Sequence, residues 1–168
     1  MKAKEALFIS DLHLSIEKPE LVRYFLDFLE RRAPQAERLY ILGDLFDSWV
    51  GDDDYTPPNA KIRNALKLLT QSGTQVYFQC GNRDFLIGEK FAAETGVTLL
   101  GDFAVIDLFG QDTLLTHGDL LCTDDLPYQA FRNKSRDPGW QANILGKPLL
   151  IRLVAARWYR LRSFFHKR

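Results

Sequence analysis

The chain alternates short apolar runs with stretches whose apolar residues recur every three or four positions. Residues 6–10 (ALFIS), 38–42 (RLYIL), 75–79 (QVYFQ), 104–109 (AVIDLF) and 112–116 (DTLLT) are short and apolar, and read as buried strands. Residues 19–32 place Leu21, Phe25, Phe28 and Leu29 at helical spacing, with Pro19 suited to a first turn. Residues 59–71 repeat the pattern through Ile62, Leu66 and Leu69, and Gly73 follows as a stop. Strands alternating with helices predict an α/β fold, a layered mixed β-sheet with flanking helices. The sheet is expected to be mixed because the turn-like sequence around Gln111 makes a hairpin of the last two strands. The most turn-rich stretch is 51–58 (GDDDYTPP), and there is no internal repeat or low-complexity linker.

From Pro148 the pattern changes. Leu150, Val154, Trp158, Leu161 and Phe165 recur at helical spacing, while Arg152, Arg160 and Lys167 fall largely elsewhere on the wheel. This predicts a basic amphipathic helix with two open readings: a helix packed on the body with its arginines solvated, or an element that meets a membrane surface or a lipid substrate. The chain divides accordingly into a core over residues 1–137 and a basic amphipathic helical segment over 138–168.

The composition, with 46% hydrophobic and 26% charged residues in 168, is that of one globular domain. The zero net charge hides an asymmetry: no acidic residue follows Asp137, whereas seven basic residues do. The first 137 residues hold 15 basic and 22 acidic side chains, a net of −7. An acidic body suits cations and a basic end suits anions such as phosphate or lipid headgroups. Asp11 interrupts the first apolar run too early for a secretory leader, and no run is long enough to span a bilayer. Cys80 and Cys122 form neither a disulfide framework nor a zinc-knuckle spacing, so a reducing cytoplasm is the expected setting.

The chemistry sits at the strand ends. Asp11 and His13 follow the first strand, Gly43, Asp44 and Asp47 the second, Gly81, Asn82, Arg83 and Asp84 the third, and His117, Gly118 and Asp119 the last. Ligands of open α/β sheets gather at the carboxyl ends of strands. A carboxylate such as Asp44 can bridge two cations, and Asn82 offers a neutral oxygen. Mixed carboxylate, imidazole and carboxamide donors suit Mn²⁺, Fe or Zn²⁺. A single aspartate after a strand is usually a cap or turn residue, and that reading is kept for Asp47, Asp52, Asp53 and Asp54. His117 taken alone fits a satisfied core histidine, and His166 a solvated one. Four strand ends, each offering a donor, are not explained by capping and point to a metal centre.

Asp11-Leu12-His13, Gly43-Asp44-Leu45-Phe46-Asp47, Gly81-Asn82-Arg83-Asp84 and His117-Gly118-Asp119 resemble the ordered motifs of the calcineurin-like metallophosphoesterases. Arg83 stands where that family usually has a histidine. This variant, with Gly51-Asp52-Asp53-Asp54 and the stretch from Leu121 to Asp125, is similar to the branch that cleaves UDP-2,3-diacylglucosamine in lipid A synthesis. The resemblance implies that Asp11, His13 and Asp44 bind one Mn²⁺. It also implies that Asp44 bridges to a second Mn²⁺ held by Asn82 and His117. Asp44, Asn82 and His117 are then the catalytic set. Asn82 and Arg83 would contact the phosphate and sugar of the substrate, and Asp125 its glucosamine. The implied reaction splits the pyrophosphate to UMP and 2,3-diacylglucosamine 1-phosphate, as a peripheral enzyme on the cytoplasmic side of the Gram-negative inner membrane. The implied membrane contact is the basic C-terminal helix.

The family closes its site with a late Gly-His-x-His motif, which this sequence does not contain; after His117 the one histidine is His166. The resemblance, which weakens after Asn133, leaves two expectations: the C-terminal part of the fold is missing, each ion is one ligand short and turnover is weak or absent, or a divergent tail reorganises the site, with water or another chain filling the open positions. A commonly occurring histidine before Gly-Asn is Cys80 here. Rival expectations are a phosphoesterase acting on another nucleotide or a phosphoprotein, and a non-catalytic metal-binding or membrane-associating fragment. Nucleic acid is not expected as a partner, because the body is acidic and carries no base-reading motif. The oligomeric state is unknown from sequence.

Overall fold

The structure, a computed structural model, describes residues 3–166, and the side chains of residues 4–160. Strands β1 (Ala3–Ile9), β2 (Ala36–Leu42), β3 (Gln75–Gln79) and β4 (Thr98–Leu100) form one sheet in that order, every pair parallel. Helices α1 (Pro19–Asp27), α2 (Asn59–Gln71) and α3 (Glu89–Thr95) make the crossovers. A parallel pair needs such a crossover, and its strands then end at the same rim. Among the described residues the sheet is parallel, not mixed: β5 (Ala104–Asp107) and β6 (Asp112–Leu115) pair antiparallel as a separate hairpin. The hairpin was anticipated, but it docks beside the sheet instead of extending it. Arg38 Nη1 donates to the Asp107 carbonyl, and Gln79 Nε2 to the carbonyls of Gly101 and Asp102.

The two sheet faces follow from alternation along the strands. Leu39, Ile41, Val76 and Phe78 point into a core that contains Ile62, Leu66 and Leu69 of α2 and Phe91 of α3. On the other face the paired residues Phe8, Tyr40 and Tyr77 stack as an aromatic row, with ring centroids 4.9 and 4.8 Å apart. The helix expected over 19–32 is α1 followed by a π-helical turn over Phe28–Arg32 and a 3-10 turn over Ala33–Gln35. The turn-rich 51–58 stretch is fastened by aspartate side chains. Asp52 accepts from Gly88 N and Phe91 N at the start of α3, and Asp54 accepts from Thr56 and Asn59. Asp52 thus acts as a cap and Asp54 as a turn residue, the two roles expected of such aspartates.

After the hairpin come a 3-10 turn (Asp119–Leu121) and helices α4 (Leu126–Ser135), α5 (Pro138–Leu145) and α6 (Leu149–His166). The helix expected after Pro148 is α6, but its burial inverts the reading of a body-packed helix with solvated arginines. Arg152 is 5% exposed, whereas Leu150 is 71% and Trp158 59% exposed. Arg152 enters the body to donate to the Val50 carbonyl at 2.5 Å and to both oxygens of Asp53. Arg160 pairs with Asp47. The side chains of Leu161, Phe165, His166 and Lys167 lie outside those described.

Candidate metal centre

The first two strand-end turns are knitted together by backbone bonds. Asp11 N donates to the Gly43 carbonyl, His13 N to Asp44 and Leu14 N to Leu45, at 3.1, 2.9 and 2.8 Å. Asp11, His13 and Asp44 all have positive φ, at 56°, 47° and 54°. Non-glycine residues rarely adopt this conformation, and such strain gathers at functional sites. Gly43 and Gly81 allow the second and third turns to close on each other. A Cβ on Gly43 would lie 2.6 Å from His117 Nδ1 and 2.7 Å from Gly81 Cα, and one on Gly81 would overlap the Asp44 carboxylate.

One atom each of Asp11, His13 and Asp44 lies within 4.8 Å of the others. Asp44 also faces the opposite donor, with Oδ2 3.8 Å from His13 Nε2 and Oδ1 3.9 Å from His117 Nε2. It thus sits between the two histidines, as a bridging carboxylate must. Burial pushes the Asp44 carboxyl up, against the Arg83 N–H bond at 2.8 Å and the nearby His117 and His13. A cation at this place would offset that cost. His117 Nδ1 lies 2.8 Å from the Leu42 carbonyl and so donates to it, which leaves Nε2 as the nitrogen that faces Asp44. His117 is thereby bonded as a core histidine would be, with its second nitrogen still available.

The donor set passes a test for divalent cations on the chain's own geometry. Asn82 Oδ1 is buried with no hydrogen-bond partner among the described residues, whereas the His13 nitrogen that faces Asp44 is Nε2. Buried polar atoms are seldom left unsatisfied, and a metal is one of the few explanations. Asp11, His13 and Asp44 form one group that could hold a metal ion; His117, 3.9 Å from Asp44, and the unpartnered Asn82 Oδ1 are the remaining donors that the sequence singles out. Arg83 borders the same turn; among the described residues its guanidinium forms no ion pair. Asp125 stands apart from these donors in role: it is exposed and caps α4, accepting from Tyr128 N at 3.0 Å.

Several supporting roles escaped the sequence reading, which named Asp84 and Asp119 only as residues at strand ends. Asp84, 0% exposed, accepts N–H bonds from Gly81, Asp44 and Leu45 at 2.7, 3.3 and 2.8 Å, tying two ligand turns together. Burial pushes its carboxyl up to about 6 despite these donors. Asp119 is gripped by Tyr128 Oη at 2.6 Å and Arg132 Nε at 2.8 Å. Arg63 lies over Trp49, Tyr55 and Phe91 and pairs with Glu94 at 2.5 Å. The spacing of Tyr128, Arg132 and Arg136 at four-residue steps was the available signal for α4; nothing local marks the others.

Comparison with known proteins agrees with this geometry. The pattern of the calcineurin-like phosphoesterases matches residues 5–164. A UDP-2,3-diacylglucosamine hydrolase of Stenotrophomonas maltophilia (strain K279a) is 54% identical over 151 residues, 90% of this chain and 61% of that protein. The protein of the same name from Haemophilus influenzae (strain PittGG) is 50% identical over 160 residues, 95% of this chain and 68% of its own. That from Xanthomonas campestris pv. campestris (strain B100) is 50% identical over 157 residues, covering 94% and 64%. The chain thus spans 61% to 68% of the length of these three curated relatives. With the strand-end donors converging as described and the family pattern running over nearly its whole length, the chain belongs to the calcineurin-like phosphoesterase family.

Proposed function

We propose that this site hydrolyses the pyrophosphate of UDP-2,3-diacylglucosamine, giving UMP and 2,3-diacylglucosamine 1-phosphate, with two Mn²⁺ as cofactors. The observation that carries the reading is Asp44, held between His13 and His117 at 3.8 and 3.9 Å. The names of the relatives supply the substrate. Asp11, His13 and Asp44 would hold one ion, and Asp44, Asn82 and His117 the other. Bound there, the ions supply polarisation of the phosphoryl oxygens and acidification of a water.

The chain's own groups do the rest. Asp44 accepts the Arg83 N–H, which fixes one carboxylate oxygen and aims the other. The Arg83 guanidinium presents a planar fork matched to a phosphate. It cannot give up its proton, so it steadies the departing nucleotide phosphate by charge. The exposed Leu150, Val154 and Trp158 of α6, beside Arg157, support a peripheral place at the cytoplasmic face of the inner membrane. No helix among the described residues is long and apolar enough to cross a membrane.

A substrate panel tests the reading. UMP release from UDP-2,3-diacylglucosamine, well above cleavage of UDP-N-acetylglucosamine or a phosphopeptide, is expected. Equal cleavage of all three would assign a general phosphoesterase, and Mn²⁺ binding without turnover on any would overturn the catalytic reading. Co-sedimentation with anionic vesicles, weakened by Trp158→Asp, tests the membrane contact; equal sedimentation would count against it.

A further inference from the structure

One face of α4 reaches both turns assigned to the second ion and none of the residues that hold only the first. Tyr128, Gln129, Arg132 and Arg136 share that face at helical spacing. Three of them fasten Asp119. Tyr128 Oη and Arg132 Nε bond its Oδ2, and Gln129 Nε2 bonds its backbone carbonyl at 2.9 Å. Asp119 follows His117 by two residues, across the positive-φ Gly118 (φ 93°), so its anchorage fixes where the His117 turn ends. Arg132 also pairs with Asp102 at 2.9 Å, beyond the end of β4. The fourth, Arg136, donates to the Gly81 carbonyl at 3.0 Å, the peptide that leads into Asn82. A cavity of about 10 Å³ lined by Asn82, Tyr128, Arg132 and Arg136 lies where the helix meets that turn. Asp11 and His13 take their backbone support elsewhere, from the carbonyls of Gly43 and Asp44.

We infer that Arg132 of α4 and Arg136 at its C-terminal cap are positioning residues for the second divalent cation, holding the His117 and Asn82 turns at bonding separation, with the first ion reached only through the shared Asp44. The inference rests on the two-ion reading above. Physically, two ligands from separate turns lose affinity for a shared ion when either turn relaxes by a fraction of an ångström. Groups that orient ligands from outside the coordination sphere typically change metal affinity by about 10–100-fold when removed. The two arginines suit the task because a guanidinium can direct a hydrogen bond and hold a second acceptor by charge, as Arg132 does with Asp119 and Asp102.

The test is Mn²⁺ binding to the full chain, followed by calorimetry and by the electron-paramagnetic signal of coupled ions. The wild type is compared with Arg136→Met, Arg136→Lys, Arg132→Met and Tyr128→Phe. The wild type is expected to bind two ions. Arg136→Met and Arg132→Met should weaken the second by about 10–100-fold and erase the coupled signal, with the first, which shares only Asp44, weakened much less. Arg136→Lys, which keeps a donor, should recover much of the loss, and Tyr128→Phe should lose less than either arginine variant. A general loss of folding would weaken both ions together, and Tyr128→Phe guards against that outcome because it removes one hydroxyl. Equal weakening of both ions in every variant, an unchanged second ion, or a wild type that binds one ion would each overturn the inference. Binding needs no substrate, so two ions without hydrolysis would sink the proposed reaction and leave this role of α4 standing.

Discussion

Gly81→Ala should damage the site from within, and the size of the effect can be worked from the contacts. A Cβ there overlaps Asp44 Oδ1 and lies 2.5 Å from Asp44 N and 2.9 Å from Asp44 Cγ. Asp44 is buried and cannot swing aside without breaking its 2.8 Å bond from Arg83 N. Overpacking of this kind costs about 1–3 kcal/mol. Losing a hydrogen bond to a charged group costs about 1.5–3 kcal/mol. One displacement causes both, so the two do not simply add, and a loss of about 2–4 kcal/mol is expected. Urea unfolding followed by tryptophan fluorescence measures it, and Mn²⁺ titration should show the first and second ions both weakened, because Asp44 serves both. Gly110→Ala is the control: its φ is also positive, at 94°, but a Cβ there meets nothing within 4 Å. It should lose only about 1–2 kcal/mol for the left-handed backbone, with Mn²⁺ binding untouched. A Gly81→Ala protein within about 0.5 kcal/mol of wild type and binding Mn²⁺ normally would refute the close approach of the second and third turns.

Other consequences follow from the same contacts. Arg152→Met removes the donor to the Val50 carbonyl, a charged hydrogen bond worth about 1.5 kcal/mol, so amide exchange in α6 should quicken by about tenfold while β2 and β3 keep their protection. Its partner Asp53 has its carboxyl held below the usual 3.8 by the Arg152 hydrogen bond. A depressed carboxylate contributes its stability above its unfolded pKa and loses it as pH falls through the folded one. Exchange protection of α6 should therefore be flat from pH 6 to about 8 and fall below about pH 4. Burial pushes the Cys80 thiol up to about 12, while Cys122 is exposed, so iodoacetamide should label Cys122 in the native protein and Cys80 only after unfolding.

The parts of this molecule governed by short-range pattern were legible in its sequence. The bounds 75–79 and 59–71 agree with β3 and α2, because each is set by its own periodicity and by flanking turn residues. The convergence of Asp11, His13 and Asp44 was legible for a related reason: parallel strands joined by helices must end at one rim. What could not be read locally is long-range. The strand β4 is three residues long, and α3 holds seven, too few for either period to emerge. Asp84 looks like any turn aspartate until its three N–H donors are seen to come from two different turns. The helical wheel of α6 found the apolar stripe but not its orientation, because Asp53, 99 residues earlier, draws Arg152 inward. Asp125 shows a similar limit, since its cap on α4 is local geometry that a resemblance to substrate-binding motifs does not reveal.

The most direct test of the central claim is UMP release from UDP-2,3-diacylglucosamine by this chain, measured with Mn²⁺, with chelator, and with Mn²⁺ after Asp44→Asn. Release that requires Mn²⁺ and disappears in the Asp44→Asn protein, with its fold intact by circular dichroism, is the predicted result. Release that persists with chelator or in Asp44→Asn, or no release from the wild type under any of these conditions, would contradict the account.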